Sequence, residues 1–167
     1  SLLFFSVSLC KIGREMVDYL EHGLSYHVAQ ELQCQDDASI LERLERAFLM
    51  ADIHSKQLGI TTSGATVAIC LIKKLRFENR LTLYCANAGD ARIVLGHQGR
   101  ATRLTKDHRP DDPDEVARIE KAGGFMFKGR VVGVLAITRS LGDHCMKSYV
   151  VAEPHCSETT IELERKN

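Results

Sequence analysis

The sequence has no excess of either charge and no apolar run long enough to cross a membrane. Its 22 basic residues balance its 22 acidic ones, so no overall field favours nucleic acid or an anionic membrane as a partner. The apolar opening SLLFFSVSLC is too short to span a bilayer, lacks the charged flank of a signal peptide and is typical of a buried strand. Internal repeats and interdomain linkers are also lacking. A chain of 167 residues with 44% hydrophobic content is therefore expected to form one globular domain.

Closely spaced cysteine pairs are lacking too, because the six cysteines include no CxxC motif. Cys70 and Cys85 lie inside apolar, strand-like runs, which favours buried and reduced thiols. Reduced thiols are typical of the cytoplasm and the nucleus, so one of these compartments is expected. The chain begins at Ser1 without a methionine, which suggests that it is part of a longer sequence.

Two amphipathic helices are predicted in the first third of the chain. Between residues 14 and 32, apolar side chains recur every three or four positions and form one stripe. Ser39 and Glu42 have the spacing of a capping box and open a second helix, which ends at Gly59. Together the two helices are expected to form a layer packed on a sheet.

Several strands follow in sequence with short connections. TVAICLI is apolar on both faces and rich in β-branched residues, as in a strand buried from both sides, and LTLYCA is the next strand. ARIVLGHQGRATRL predicts a hairpin because Gly96 and Gly99 bracket a short turn. Sequential strands joined in this way favour an antiparallel sheet.

A polar loop, TKDHRPDDPDE, separates this sheet from the last predicted elements. Asp112 and Pro113 are start signals for a short helix, which ends at Gly123 and Gly124. VVGVLAIT then predicts a further strand. The whole pattern indicates an α+β domain in which helices cover antiparallel sheet.

Four stretches in a fixed order point to a family: SGATVAICLI, LYCANAGDARIVL, LTKDHRPDDPDEVARIEKAGG and GRVVGVLAITRSLGD. Together they resemble the metal-dependent protein serine/threonine phosphatases of type 2C (the PPM family), where the corresponding stretches have the same order and similar spacing. The resemblance extends from Gly13 to about Pro154. It implies a sandwich of two antiparallel β-sheets flanked by helices, here as a single partial domain over residues 1–167.

The resemblance implies hydrolysis carried by paired Mg²⁺ or Mn²⁺ ions that an aspartate and a water bridge. Such hard cations prefer oxygen ligands. They lower the pKa of the bridging water and so supply hydroxide to attack phosphorus in line. The implied substrates are phosphoproteins carrying phosphoserine or phosphothreonine. Neither a nucleic acid nor a membrane is expected as a partner, and the expected state is a monomer.

Asp90, in AGDAR, resembles the family aspartate that binds an additional, third metal ion near the pair. The preceding Gly89 permits a close turn that points the carboxylate inward. The alternative is a turn aspartate that hydrogen-bonds its own backbone. The match on either side favours the metal ligand.

Other matched residues are expected to shape the site without acting in the chemistry. Asp143, in SLGD, resembles a residue that braces loops beside the site, and a helix cap or turn acid is the alternative. Asp107 and His108 fall in a loop resembling the family segment LT-x-DH-x-P, where loop-fixing hydrogen bonds are expected rather than catalysis. Ser63 and Gly64 match a loop that borders the active site.

Two arginines complete the set of candidate residues. Arg92 and Arg130 are each expected to pair with an acid such as Asp90 or Asp143. A structural ion pair is favoured over phosphate binding for both.

The chain departs from the family pattern near its beginning. In the family an apolar strand ends in D-G-H-G-G, whose aspartate bridges the two ions and whose next glycine supplies a carbonyl. Here Leu9 stands at the aspartate, Cys10 at the glycine, Lys11 at the histidine and Ile12 at the next glycine. Leucine has no oxygen donor and lysine adds a positive charge, so both changes oppose metal binding.

Further ligand motifs of the family have no counterpart either. The chain begins after the family motif with an arginine and a glutamate–aspartate pair. It has no tryptophan for the D-G-hydrophobic-W-D motif and ends before the late D-N motif. The favoured hypothesis is a phosphatase domain that is incomplete and inactive as given, with Mg²⁺ or Mn²⁺ as the family cofactor. The alternatives are a non-catalytic pseudophosphatase that binds other proteins and an unrelated α+β domain.

Overall fold

The computed structural model describes residues 14–74 and 79–163, together with the backbone of residues 2–12. None of the helices in these ranges combines the length and the apolar character needed to cross a membrane. The elements in chain order are β1 (Leu2–Ile12), α1 (Glu15–Gln33), α2 (Ile40–Gln57), β2 (Gly64–Lys74), β3 (Arg80–Ala88), β4 (Val94–His97), β5 (Arg100–Arg103), α3 (Pro113–Lys121), β6 (Met126–Phe127), β7 (Arg130–Val131), β8 (Leu141–Gly142) and β9 (His155–Glu162). A short 3₁₀ turn lies at His144–Met146.

The main sheet has the strand order β1-β2-β3-β9, with β8 paired to the beginning of β2. All of these pairs are antiparallel. The central strand β2 is buried along most of its length, as its apolar and β-branched sequence predicts. The predicted α+β class with antiparallel sheet is confirmed.

One face of the main sheet is covered by α1 and α2. The predicted stripe of α1 is confirmed, since Leu20, Leu24 and Val28 are buried. The capping box of α2 is confirmed as well, because Ser39 accepts from the amide of Glu42 while the Glu42 carboxylate accepts from the amide of Ser39. The helices and the sheet share one core cluster, whose largest fully buried side chains include Phe48, Met16, Leu24, Leu44, Ile69 and Leu71.

The β4–β5 hairpin packs on the opposite face of the main sheet. Leu83 and Cys85 of β3 form a cluster there with Leu104, and Ile93 and Leu95 pack against it. The predicted hairpin is confirmed. Two antiparallel sheets thus lie in contact, with the helices on the outer face of the larger sheet.

The predicted strand VVGVLAIT is wrong. Val131 ends β7, and the chain then turns because Val132 and Gly133 have positive φ angles of 50° and 72°. A bond from the amide of Val134 to the carbonyl of Val131 closes the turn. Val131 and Ile137 are buried in a small separate core with Ile119 of α3, so their apolar character reflects this core and not a strand.

Candidate functional site

The turn that carries Asp90 is built around Gly89. β3 ends at Ala88, and Gly89 has a φ of 93°, which glycine adopts without strain. A Cβ at Gly89 would lie 2.4 Å from Cγ2 of Thr66 on β2 and 3.0 Å from the carbonyl oxygen of Arg139. Close packing therefore requires glycine here, and it presses the turn against the beginning of β2.

Asp90 itself forms an ion pair with an arginine. Its Oδ2 lies 3.1 Å from Nη2 of Arg109, and the carboxylate is about one quarter exposed, at 27%. Across the described ranges there is no group of three or more His, Cys, Asp or Glu side chains placed to hold a metal ion. Because Mg²⁺ and Mn²⁺ take several oxygen ligands, the described residues do not fit a two-metal centre.

Leu9, the position of the missing bridging aspartate, lies at the same end of the sheet. Its backbone pairs with Thr66, and the next row pairs Ser8 with Val67 and Val67 with Ala88. Since Thr66 also lies directly against Gly89, the strand position of Leu9 is in the same row as the turn that carries the Asp90 carboxylate, with β2 between them. The side chain of Leu9 lies outside the described part of the structure.

Asp107 is held by arginines from neighbouring segments. Nε of Arg92 donates to Oδ1 at 3.2 Å and its Nη2 donates to Oδ2, while Nη2 of Arg103 lies 2.5 Å from Oδ1. Burial alone would raise the pKa of Asp107. The hydrogen bond from Arg92 and the nearby guanidinium charges outweigh burial, so the pKa lies below its ordinary value.

The sequence suggested Asp90 or Asp143 as the partner of Arg92, and the structure pairs Arg92 with Asp107 instead. The cause is the pairing of two loop segments. The amide of Leu104 donates to the carbonyl of Ile93, and the side chain of Thr105 accepts from the amide of Ile93, which brings Asp107 beside Arg92.

Arg130 also contacts a different group from the one suggested. Its Nη1 donates at 2.8 Å to the carbonyl oxygen of Val134, within the turn that follows β7, and not to Asp90 or Asp143. The turn after Val131 brings this carbonyl within reach.

His108 fixes the Asp90 turn through backbone contacts. Its amide donates to the carbonyl of Gly89 at 2.9 Å, and its Nδ1 lies 3.2 Å from both the nitrogen and the oxygen of Gly89. Its own carbonyl accepts from the amide of Thr138 at 3.1 Å. Burial, followed by the charge of Arg139, lowers the pKa of His108 to about 4, so the ring is neutral at neutral pH.

Asp143 joins the loop after β8 to the beginning of β2. Oγ of Ser140 donates to its Oδ2 at 2.6 Å, and its amide donates to the carbonyl of Ser63 at 3.0 Å. Oγ of Ser63 accepts from the amide of Met16 at 3.2 Å, at the start of α1. A Cβ at Gly64 would lie 2.0 Å from Oδ2 of Asp143, so the carboxylate occupies the space that this glycine leaves open.

A buried polar group that the sequence does not indicate is centred on Asp52 of α2. Its Oδ1 accepts from the amide of Gly142 at 2.7 Å and from Nζ of Lys147 at 2.9 Å. Burial lowers the pKa of Lys147, and the Asp52 charge opposes this. These residues are 90 and 95 positions from Asp52 in the chain, so no local pattern indicates the contact.

Ser55, His144 and Asp52 lie in an arrangement that resembles a hydrolytic triad. Oγ of Ser55 lies 2.9 Å from Nε2 of His144, whose Nδ1 is 4.0 Å from Oδ2 of Asp52. The hydroxyl, however, is fully buried and donates its proton to the carbonyl of Asp52 at 2.7 Å. The hydroxyl is therefore neither accessible nor activated as a nucleophile, and the trio joins α2 to the 3₁₀ turn.

A cleft of about 640 Å³ lies beside the Asp90–Arg109 pair. Its lining carries four cationic and three acidic side chains: Arg92, Arg103, Lys106, Arg109, Asp107, Asp111 and Asp112. Because the charges nearly balance and several are paired, the cleft has no strong field for an anion.

Comparisons with known proteins agree with this architecture. The sequence model of the family described as protein phosphatase 2C matches residues 3–166. Protein phosphatase 2C homolog 1 of Schizosaccharomyces pombe is 36% identical over 152 residues, a match that covers 89% of this chain and 43% of the relative. The protein of that name in Saccharomyces cerevisiae is 37% identical over 155 residues, which covers 83% of this chain and 53% of the relative.

Solved structures show the same fold. A phosphatase from a pathogenic strain of Toxoplasma gondii aligns with a TM-score of 0.82 at 24% identity, over 97% of this chain and 65% of that chain. A Caenorhabditis elegans sex determining protein aligns with a TM-score of 0.80 at 25% identity, over 98% of this chain and 41% of that chain. The chain spans about half the length of the curated relatives described above. On the match of nearly every residue to the family model, this chain belongs to the protein phosphatase 2C family.

Proposed function

We propose that residues 1–167 form part of a single phosphatase domain whose activity is metal-dependent hydrolysis of phosphoserine and phosphothreonine in proteins. The observation that carries the proposal is the family match over residues 3–166, and the Gly89–Asp90 turn, which lies across β2 from the strand position of Leu9, supports it. The substrates are phosphoproteins, the working state is a monomer, and the compartment is the cytoplasm or nucleus. The balanced charge of the chain supports the absence of nucleic-acid and membrane partners.

We further propose that the chain by itself does not hold the paired Mg²⁺ or Mn²⁺ ions. Asp90 has a guanidinium 3.1 Å from its carboxylate, which competes with a bound cation. The sequence places Leu9 and Lys11 where the family has a bridging aspartate and a histidine. A single carboxylate with water binds Mg²⁺ weakly, so no hydrolytic step follows from the described residues.

A pseudophosphatase that acts as a protein-binding module is the second candidate. It is favoured by the same two features, the leucine at the ligand position and the arginine on Asp90. Under this hypothesis the fold is retained for its surface, and the metal is dispensable.

Mn²⁺ titration by calorimetry tests whether the chain holds the ions. We expect weak binding at most, and no Mn²⁺-dependent release of phosphate from a phosphothreonine peptide. Arg109→Gln should strengthen Mn²⁺ binding about two- to fivefold, because a partly exposed ion pair is worth about 1 kcal/mol or less. Arg130→Gln is the matched control and should change nothing, since Arg130 contacts a carbonyl. Tight two-site binding by the unaltered chain would show that the proposal of an empty centre is wrong.

Restoring the family motif separates the two candidate functions. The variant combines Leu9→Asp, Cys10→Gly, Lys11→His and Ile12→Gly. If the sheet end is the remaining part of a phosphatase centre, this variant should bind Mn²⁺ at least about tenfold more tightly than the parent, and Asp90→Asn should reduce the gain. An unchanged affinity in a folded variant would favour the binding module.

A further inference from the structure

Two cysteines face each other across the centre of the main sheet. Cys70 of β2 and Cys85 of β3 are direct register partners. Their sulfur atoms lie 3.6 Å apart. Cys85 is buried, at 1% exposure, whereas Cys70 is half-buried. Both lie on the face that packs against the β4–β5 hairpin, away from the Asp90 turn.

Their strand positions suit a covalent bond without movement of the backbone. Residues directly opposite in an antiparallel pair have Cα atoms about 4.5–5.5 Å apart, within the range of about 4.4–6.8 Å that disulfides span. The two sulfurs would need to approach by about 1.5 Å to reach the disulfide length of about 2.05 Å. Side-chain rotation supplies a movement of this size.

The two thiols differ in a way that orders their chemistry. The Cys85 thiol donates a hydrogen bond to the sulfur of Cys70, which lowers the pKa of Cys70 and raises that of Cys85. The thiolate is the reactive form of cysteine, and reactivity also needs access. Cys70 has both advantages, and Cys85 lies in position to react second.

We propose that Cys70 and Cys85 form a redox modification site, which a hydroperoxide converts to an intrachain disulfide. The Cys70 thiolate attacks one oxygen of hydrogen peroxide, the O–O bond breaks, and Cys70 becomes a sulfenic acid as hydroxide leaves and takes up a proton to become water. The sulfur of Cys85 then attacks the sulfur of Cys70. The S–S bond forms, the S–O bond breaks, and the oxygen leaves with the Cys85 proton as a second water. Two thiols lose two electrons in total, and one peroxide gains them.

This site is independent of the metal chemistry and does not rest on the proposed function. In reducing compartments, disulfides of this kind are transient and serve as sensors. Reduction by a thiol restores the pair by exchange.

Cys156 provides a matched control within the same sheet. It lies on β9 opposite Ala86, the neighbour of Cys85, and packs with the helix-side core. Consecutive strand residues point to opposite faces, so Cys156 lies on the face away from Cys70 and Cys85. The exposed Cys34 and Cys145 report on nonspecific oxidation.

The test is peroxide treatment of the 167-residue chain, followed by alkylation of remaining thiols and tryptic mapping without reduction. The two cysteines fall on separate tryptic peptides, 57–73 and 81–92. We expect one cross-linked species, whose mass is that of the two peptides together less two hydrogen atoms. Dithiothreitol should remove it. The intact oxidised protein should have the mass of a monomer. Cys70→Ser and Cys85→Ser should abolish it, and Cys156→Ser should retain it.

A second measurement tests the order of reaction. A 1,3-diketone that traps sulfenic acids should label Cys70 in the Cys85→Ser variant, and should not label Cys85 in the Cys70→Ser variant. Full alkylation of both cysteines in the peroxide-treated parent would overturn the proposal. A cross-link made instead through Cys34, Cys145 or Cys156 would also overturn it, and neither result depends on the folding of a variant.

Discussion

Acid should destabilise this chain in part through His108, and the size of the effect follows from its burial. The imidazole is 1% exposed, and its pKa is lowered from 6.5 to about 4. Between these values the unfolded chain binds a proton at His108 and the folded chain does not. The free energy of unfolding must therefore fall as the pH falls through 6.5 toward 4. The full shift corresponds to a loss of about 3 kcal/mol, of which about 2 kcal/mol is lost by about pH 5.

Other groups contribute to acid sensitivity, so a variant is needed to isolate His108. The pKa values of three further histidines are lowered by burial: His27, His144 and His155. Glu115 behaves differently. Burial raises its pKa, but hydrogen bonds from Arg139 and Arg118 outweigh this and lower it to about 2, so its stabilisation is lost only below its ordinary pKa of 4.5.

The assay is urea unfolding followed by circular dichroism at several pH values, on the parent and on His108→Asn. Asparagine offers both a donor and an acceptor near the backbone of Gly89 but does not titrate. We expect its loss of unfolding free energy between about pH 7 and about pH 5 to be about 2 kcal/mol smaller than that of the parent. His22→Asn, at an exposed position of α1, should match the parent. Equal pH slopes for the parent and His108→Asn would refute the reasoning.

Two further predictions concern packing and capping. Gly64→Ala should lower the unfolding free energy by about 2–3 kcal/mol, because the new methyl group displaces the buried Asp143 carboxylate. Gly96→Ala, where a Cβ meets nothing within 4 Å, should lie within about 0.5 kcal/mol of the parent in the same urea titration, and a similar loss in both variants would contradict the packing argument. Ser39→Ala should cost about 1 kcal/mol through loss of the capping box with Glu42, and an unchanged urea midpoint would contradict this.

The sequence predicted the elements whose signals are local. The stripe of α1, the capping box of α2 and the apolar run of β2 each depend on neighbours within a few residues, and each element lies where it was expected. The prediction of a strand at VVGVLAIT was wrong because the apolar residues there reflect distant contacts and not a local pattern. Val131 and Ile137 are apolar because they pack against Ile119, a contact that periodicity does not reveal.

In the candidate site, too, the local features were predicted and the contacts between distant residues were not. The glycine turn before Asp90 was predicted from two adjacent residues, and its positive φ agrees. The partners of the charged side chains were not predicted, because Arg92 and Asp107 are 15 residues apart and Arg109 and Asp90 are 19 apart. Such pairs depend on how two loop segments align, which no spacing rule specifies. The backbone register also relates Leu9 to this turn, because it places that strand position in the same row as Gly89, with β2 between them.

The contacts of Asp52 couple the unfolding of the end of α2 to that of residues 142–147. One carboxylate oxygen accepts from both Gly142 and Lys147, so the segment between them is tethered at two points to the last turns of α2. Fraying of that segment alone would break both hydrogen bonds to the Asp52 carboxylate at once. Amide deuterium uptake there should therefore keep pace with uptake at the end of the helix, and the two regions should exchange as one cooperative unit.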